Sequence, residues 1–140
     1  MKAPAVFPVL ALTLIATAVH AQATPKKTAI HIDCQPGESP LDTVGSQFCS
    51  ALRDTFARSP RYYSVPYTDK GLHFILHVTT IEDTPGITSA QSTVLTFSSS
   101  DNAEMYVESW TSVCGVQRAK EQAEAIMSVA DSEMTKLNKN

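Results

Sequence analysis

Leu72 to Ile81 reads LHFILHVTTI, and the alternation inside it decides the fold. Leu72, Phe74, Leu76 and Val78 fall on one side of an extended chain and His73, Ile75, His77 and Thr79 on the other, the period of two expected of a strand. Downstream, Asp83-Thr-Pro-Gly is a turn and Gln91 to Ser98 (QSTVLTFS) is a second strand rich in Thr and Val. Ser99-Ser-Asp-Asn turns again, and Met105 to Val113 (MYVESWTSV) is a third. Three strands joined by short polar turns predict an antiparallel meander.

Upstream, Thr28 to Cys34 (TAIHIDC) sets Ile30, Ile32 and Cys34 against Ala29, His31 and Asp33, which is also a strand. Gln35-Pro-Gly-Glu breaks it, and Ser39-Pro40-Leu41-Asp42 has the form of a capping box with Ser39 as N-cap. The helix that follows carries Leu41, Val44, Phe48, Leu52 and Phe56 as one apolar stripe. Gly45 interrupts that stripe at a cost of about 1 kcal/mol relative to Ala, so it reflects close packing or simple tolerance. Pro60 ends the helix near Ser59, and Arg61 to Pro66 (RYYSVP) is an extended connector. After the meander, Val116, Ala119, Ala123, Ile126, Met127, Ala130, Met134 and Leu137 mark a long helix with an Ala-rich stripe. The order is βαβββα: an α+β domain with a four-stranded, mostly antiparallel sheet and both helices on one face. A right-handed crossover makes the first, second and fourth strands run in the same direction.

The chain opens MKAPAVFPVLALTLIATAVHAQA, where Lys2 precedes an apolar run from Val6 to Val19 and two small-x-small sites follow. This is the pattern of a secretory signal peptide over residues 1–23, with about 14 apolar residues against the roughly 20 that cross a bilayer. No Cys stands there to take a lipid, and the expected mature domain is 24–140, in the periplasm or outside the cell. Removing Lys2 leaves ten basic against fourteen acidic side chains, a formal charge of about −4. That balance, with no basic cluster beyond Lys26-Lys27, argues against nucleic acid or an acidic membrane surface as partner.

The helix FCSALRDTFAR followed by SPRYYSV resembles part of the small α/β domain at the amino terminus of TolB and related bacterial periplasmic envelope proteins. There, too, a helix of this kind leads through a small residue, Arg and aromatic exit into a strand meander. The resemblance implies an envelope or interaction role; it carries over no functional residues, and TolB's β-propeller is absent from this sequence.

Cys34, Cys49 and Cys114 make one disulfide and one free thiol the simplest inventory in an oxidising compartment. Cys114 stands where the last strand gives way to a helix, a position that favours a thiolate. A nucleophilic thiol needs a positioned base, however, and no cysteine-hydrolase signature surrounds it. The expected pairing is Cys34 with Cys114, both at the ends of strands running the same way. Cys49 is about two turns, roughly 12 Å, down its helix, beyond the 7 Å Cα separation a disulfide spans. His31, His73 and His77 are candidate metal ligands of the open sheet face; His73 and His77, about 13 Å apart on a strand, cannot share an ion unaided, but His31 with one of them offers a two-ligand patch if the two strands are adjacent. Tyr62, Tyr63, Tyr67, Tyr106 and Trp110 are candidate aromatic anchors, with Tyr62, Tyr63 and Trp110 the foremost, and Trp110 also suits the core. No phosphate loop, catalytic triad or paired-carboxylate motif stands out, and no cofactor is implied. The reading is an envelope protein that binds another protein without catalysis, through its open face, a strand edge or the Arg61–Pro66 connector. A small metal-binding protein and a thiol enzyme are the alternatives.

Overall fold

The alternating run becomes the central strand of a five-stranded sheet. The structure, a computed structural model, describes residues 26–37, 42–99 and 103–137. The expected signal segment lies outside them, as do Ser39, Pro40 and Leu41 of the expected cap. The elements are β1 (Thr28–Gln35), α1 (Thr43–Arg58), β2 (Tyr62–Ser64), β3 (His73–Thr84), β4 (Thr88–Ser98), β5 (Glu104–Gly115), a 3-10 turn at Val116–Arg118 and α2 (Ala119–Leu137). The sheet order is β2-β1-β3-β4-β5. β1 pairs in parallel with β2 and β3, and β3, β4 and β5 form the antiparallel meander.

The α+β class with two helices agrees with the sequence; the strand count does not. The connector between Pro60 and Pro66 is too short to show a period of two, yet its three residues Tyr62–Ser64 pair with Thr28–Ile30 and make a fifth strand. The meander's first turn is as expected. Pro85 and Gly86 sit in its centre, Gly86 at φ 68°, and Ile87 N–H donates to Thr84 C=O at 2.9 Å.

Both helices cover the face carrying Ile30, Cys34, Phe74, Leu76, Val78, Leu95 and Cys114, and add Phe48, Leu52, Phe56, Ala123, Ile126, Ala130 and Met134 to one core. The opposite face is not uniformly open. His73, Ile75 and Ala29 point to it and are buried, because the segment between β2 and β3 folds over them: His73 Nδ1 lies 2.8 Å from Gly71 C=O, and Tyr67, Thr68 and Lys70 close over Ile75. Leu72, by contrast, stands before β3 and is exposed.

α1 starts at Thr43 on an Asp42 cap. The Asp42 carboxylate is 2 % exposed and accepts from Gly45 N–H at 2.7 Å, Thr80 Oγ1 at 2.7 Å and Gly37 N–H at 3.1 Å. Burial pushes its pKa up, but the donors Thr80, Gly45, Gly37 and Ser89 outweigh it and hold the carboxyl below the usual range. Gly45 is there for close packing: a Cβ would meet Thr80 Oγ1 at 2.1 Å and Asp42 Oδ2 at 2.2 Å. Ser59 caps the other end in extended geometry, ψ 132°, as the following proline requires.

The expected Cys34–Cys114 bond is corrected by the strand order. β1 and β5 run in the same direction but β3 and β4 separate them, about three strand spacings or roughly 14 Å. Cys34 is bonded instead to Cys49, with Cα atoms 5.6 Å apart, and Cys114 is a buried free thiol. Depth along the helix misled the expectation because α1 folds back over the end of β1, which brings its second turn down onto Cys34.

Candidate functional site

On the open face, the registers align side chains in rows across three strands: Ile81, Ala90 and Val113, then Thr79, Ser92 and Thr111. The small residues of β4 lie between the larger ones of β3 and β5, leaving a trough of about 500 Å³. Ile81 and Val113 are 67 % and 62 % exposed at its rims. β-branched side chains at these positions follow from strand propensity, but their exposure is not required by the fold.

Further along the same face is a polar cluster. His77 stands between two carboxylates, its Nε2 2.9 Å from Glu104 and its Nδ1 3.4 Å from Asp33. Glu104 also accepts from Tyr67 Oη at 2.7 Å and Thr96 Oγ1 at 3.1 Å, and His31 meets the Tyr67 ring edge-on at 5.6 Å. The Tyr67 hydroxyl foremost, against some cost of burial, and then His77 and Thr96 hold the Glu104 carboxyl below its usual range; the same bond pushes the Tyr67 hydroxyl up. Glu104 is the member that sequence reading missed. It lies at the far edge strand, and a bulge in the β4–β5 register between Leu95 and Thr96 aligns that end of β5, which periodicity does not reveal.

The three candidate metal ligands are not brought together. His31 Nδ1 is 2.9 Å from Val65 C=O, His73 is buried under the covering segment, and the two nitrogens of His77 face different carboxylates, so their lone pairs do not converge. Among the described residues no group of three or more side chains is arranged to hold a metal ion.

Cys114 is 1 % exposed on the helix-facing side, the side opposite the histidines. Burial pushes its thiol pKa up, against smaller opposing effects of Gln91 and Arg118, the reverse of what a nucleophile needs. Around it runs a polar seam in which Ser89, Gln91 and Thr93 of β4 face Cys114, Ser112 and Trp110 of β5. Ser112 Oγ donates to Gln91 Oε1 at 3.2 Å and accepts from Gln122 of α2 at 2.8 Å. Gln91 Nε2, Thr93 Oγ1 and Trp110 Nε1 are buried with no partner among the described residues.

Of the aromatic candidates, Tyr62 is corrected to a core residue. It is 4 % exposed, and its hydroxyl and the Arg61 guanidinium both reach Asp131 of α2. Burial and that carboxylate push the Tyr62 hydroxyl pKa far up. Trp110 packs half-buried against the core, while Tyr63, Tyr67 and Tyr106 are exposed, at 50 %, 54 % and 64 %. No described helix is long and apolar enough to cross a membrane.

No protein-family profile and no curated protein matches the chain. Among solved structures it is similar to the hypothetical protein CT253 of Chlamydia trachomatis, at 8 % identity and a TM-score of 0.37, over 64 % of this chain and 73 % of that one.

Proposed function

We propose that this is an exported envelope domain that binds another protein, without catalysis, on the open face of its sheet. The observation that carries the reading is the pair of rows Ile81–Ala90–Val113 and Thr79–Ser92–Thr111. Two large apolar side chains, each more than three-fifths exposed, border a hydroxyl-lined trough for which the fold itself has no use. Export is supported by the signal-like leader and by a disulfide, which persists in an oxidising compartment. The resemblance to the TolB amino-terminal domain supports the envelope in particular. A thiol enzyme is disfavoured by the burial of Cys114 on the face away from every described histidine.

The test places a photo-crosslinking residue at Val113 and, separately, at Glu124 on the exposed side of α2, in a host that exports the protein. A discrete adduct from position 113 and none from 124, abolished by Ile81→Asp, is the expected result. Equal labelling at both positions, or none at 113, contradicts the reading.

A further inference from the structure

On a different part of the molecule, β2 covers only the first half of the outer edge of β1. Thr28 N–H donates to Arg61 C=O at 2.8 Å and Ile30 C=O accepts from Val65 N–H at 3.0 Å. In a parallel strand alternate residues direct their main-chain groups to the same side, so those of Ile32 and Cys34 follow on this edge. β2 cannot follow them. The Val65 carbonyl is taken up by His31 Nδ1 at 2.9 Å, and Pro66 has no N–H to offer. Arg53 Nη2 donates to Cys34 C=O at 2.9 Å, and among the described residues no main-chain group meets Ile32 there.

The place that a longer β2 would fill is a groove of about 530 Å³. Ile30 and Ile32 form its floor, Arg53, Phe56 and Ala57 of α1 its wall, and Val65 and Pro66 its end. We propose that this groove binds an extended segment of a partner protein, about four residues long. The segment continues the line of β2 along β1, pairs its backbone with the N–H and C=O of Ile32 and the N–H of Cys34, and turns one apolar side chain against Ile32, Phe56 and Ala57. An extended backbone is the occupant because only it presents a donor and an acceptor at strand spacing. The edge is recessed between α1 and Pro66, which admits a single strand and excludes the sheet edge of a second folded copy. The Cys34–Cys49 bond fixes α1 against the end of β1 and so holds the groove's width.

The experiment uses the full, disulfide-intact chain to select from a displayed library of random linear octapeptides; the most enriched sequence is synthesised as the probe. Bound peptide should slow exchange of the Ile32 and Cys34 amides, and methylating the peptide nitrogen that pairs with Ile32 should weaken binding by about tenfold, the loss of one main-chain hydrogen bond with its partner left unpaired. Ala57→Trp, at an exposed helix position, should block binding with the thermal midpoint retained, whereas Val113→Asp on the open face should leave it intact. The proposal is overturned if no peptide enriches, if protection falls elsewhere, if the Ala57→Trp protein binds as the parent does, or if these amides are already protected by self-association. Loss of binding in Val113→Asp also overturns it, while leaving the open-face reading standing.

Discussion

Gly45 shows how a single residue can oppose its own helix. On propensity alone Gly45→Ala should stabilise α1 by about 1 kcal/mol. Here the added methyl meets Asp42 and Thr80 inside van der Waals distance, so the substitution should lower stability, by about 1–3 kcal/mol in denaturant titration; a gain would contradict the packing. Asp42→Ala should cost about 2–4 kcal/mol, since it removes the acceptor that caps Gly45 N–H and leaves the buried Thr80 hydroxyl without its carboxylate partner. Asp42 also adds an acid dependence. Its folded pKa is below the ordinary 3.8, so its contribution is present above that value and is lost as pH falls through the folded pKa. The parent should therefore lose stability below about pH 4 more steeply than Asp42→Ala, as urea midpoints across that range would show. In the sequence Gly45 is visible as an anomaly, but the local pattern favours Ser39 as the cap, because the reach of Asp42 to Thr80 depends on a strand 38 residues away.

At the scale of elements, the long strands were legible because each alternates over at least seven residues, and α1 because its stripe repeats over four turns. β2 was not, since three residues hold no period and its pairing with Thr28–Ile30 is a long-range fact. The polar seam was hidden for another reason: Gln91, Thr93 and Ser112 alternate as a strand should, but polar residues at those positions read as solvent-facing when they lie on the helix-covered face. The seam is a cost to this element pair. Thr93→Val removes a buried hydroxyl without a partner and keeps the side chain's shape, so it should stabilise by about 1–2 kcal/mol in thermal or chemical unfolding. A loss of stability would mean that the hydroxyl has a bonded partner.

For the whole molecule, the strand order is the fact from which the rest follows. It sets β1 beside β3 rather than β5, gives Cys34 to α1 rather than to the last strand, and puts the histidines and the Ile81–Val113 trough on the face away from the helices. Periodicity gives the two faces of each strand but not the neighbours of each strand, which is why it pairs Cys34 with Cys114; β1 and β3 are adjacent, and the histidines are kept apart by local partners instead, His31 by Val65, His73 by the covering segment and His77 by its two carboxylates. A bond closing 15 residues should stabilise by about 3 kcal/mol, less than the 80-residue loop of the alternative. The most direct measurement is a tryptic map of the folded protein, alkylated first in native buffer and again in denaturant, without reduction. Cys34 and Cys49 lie in one peptide, Thr28–Arg53, and Cys114 in another, Gly71–Arg118. The strand order predicts that Thr28–Arg53 appears alone, lighter by two hydrogens, and that Cys114 is alkylated only after denaturation. Thr28–Arg53 joined to Gly71–Arg118 would contradict it, and with it the assignment of the open face.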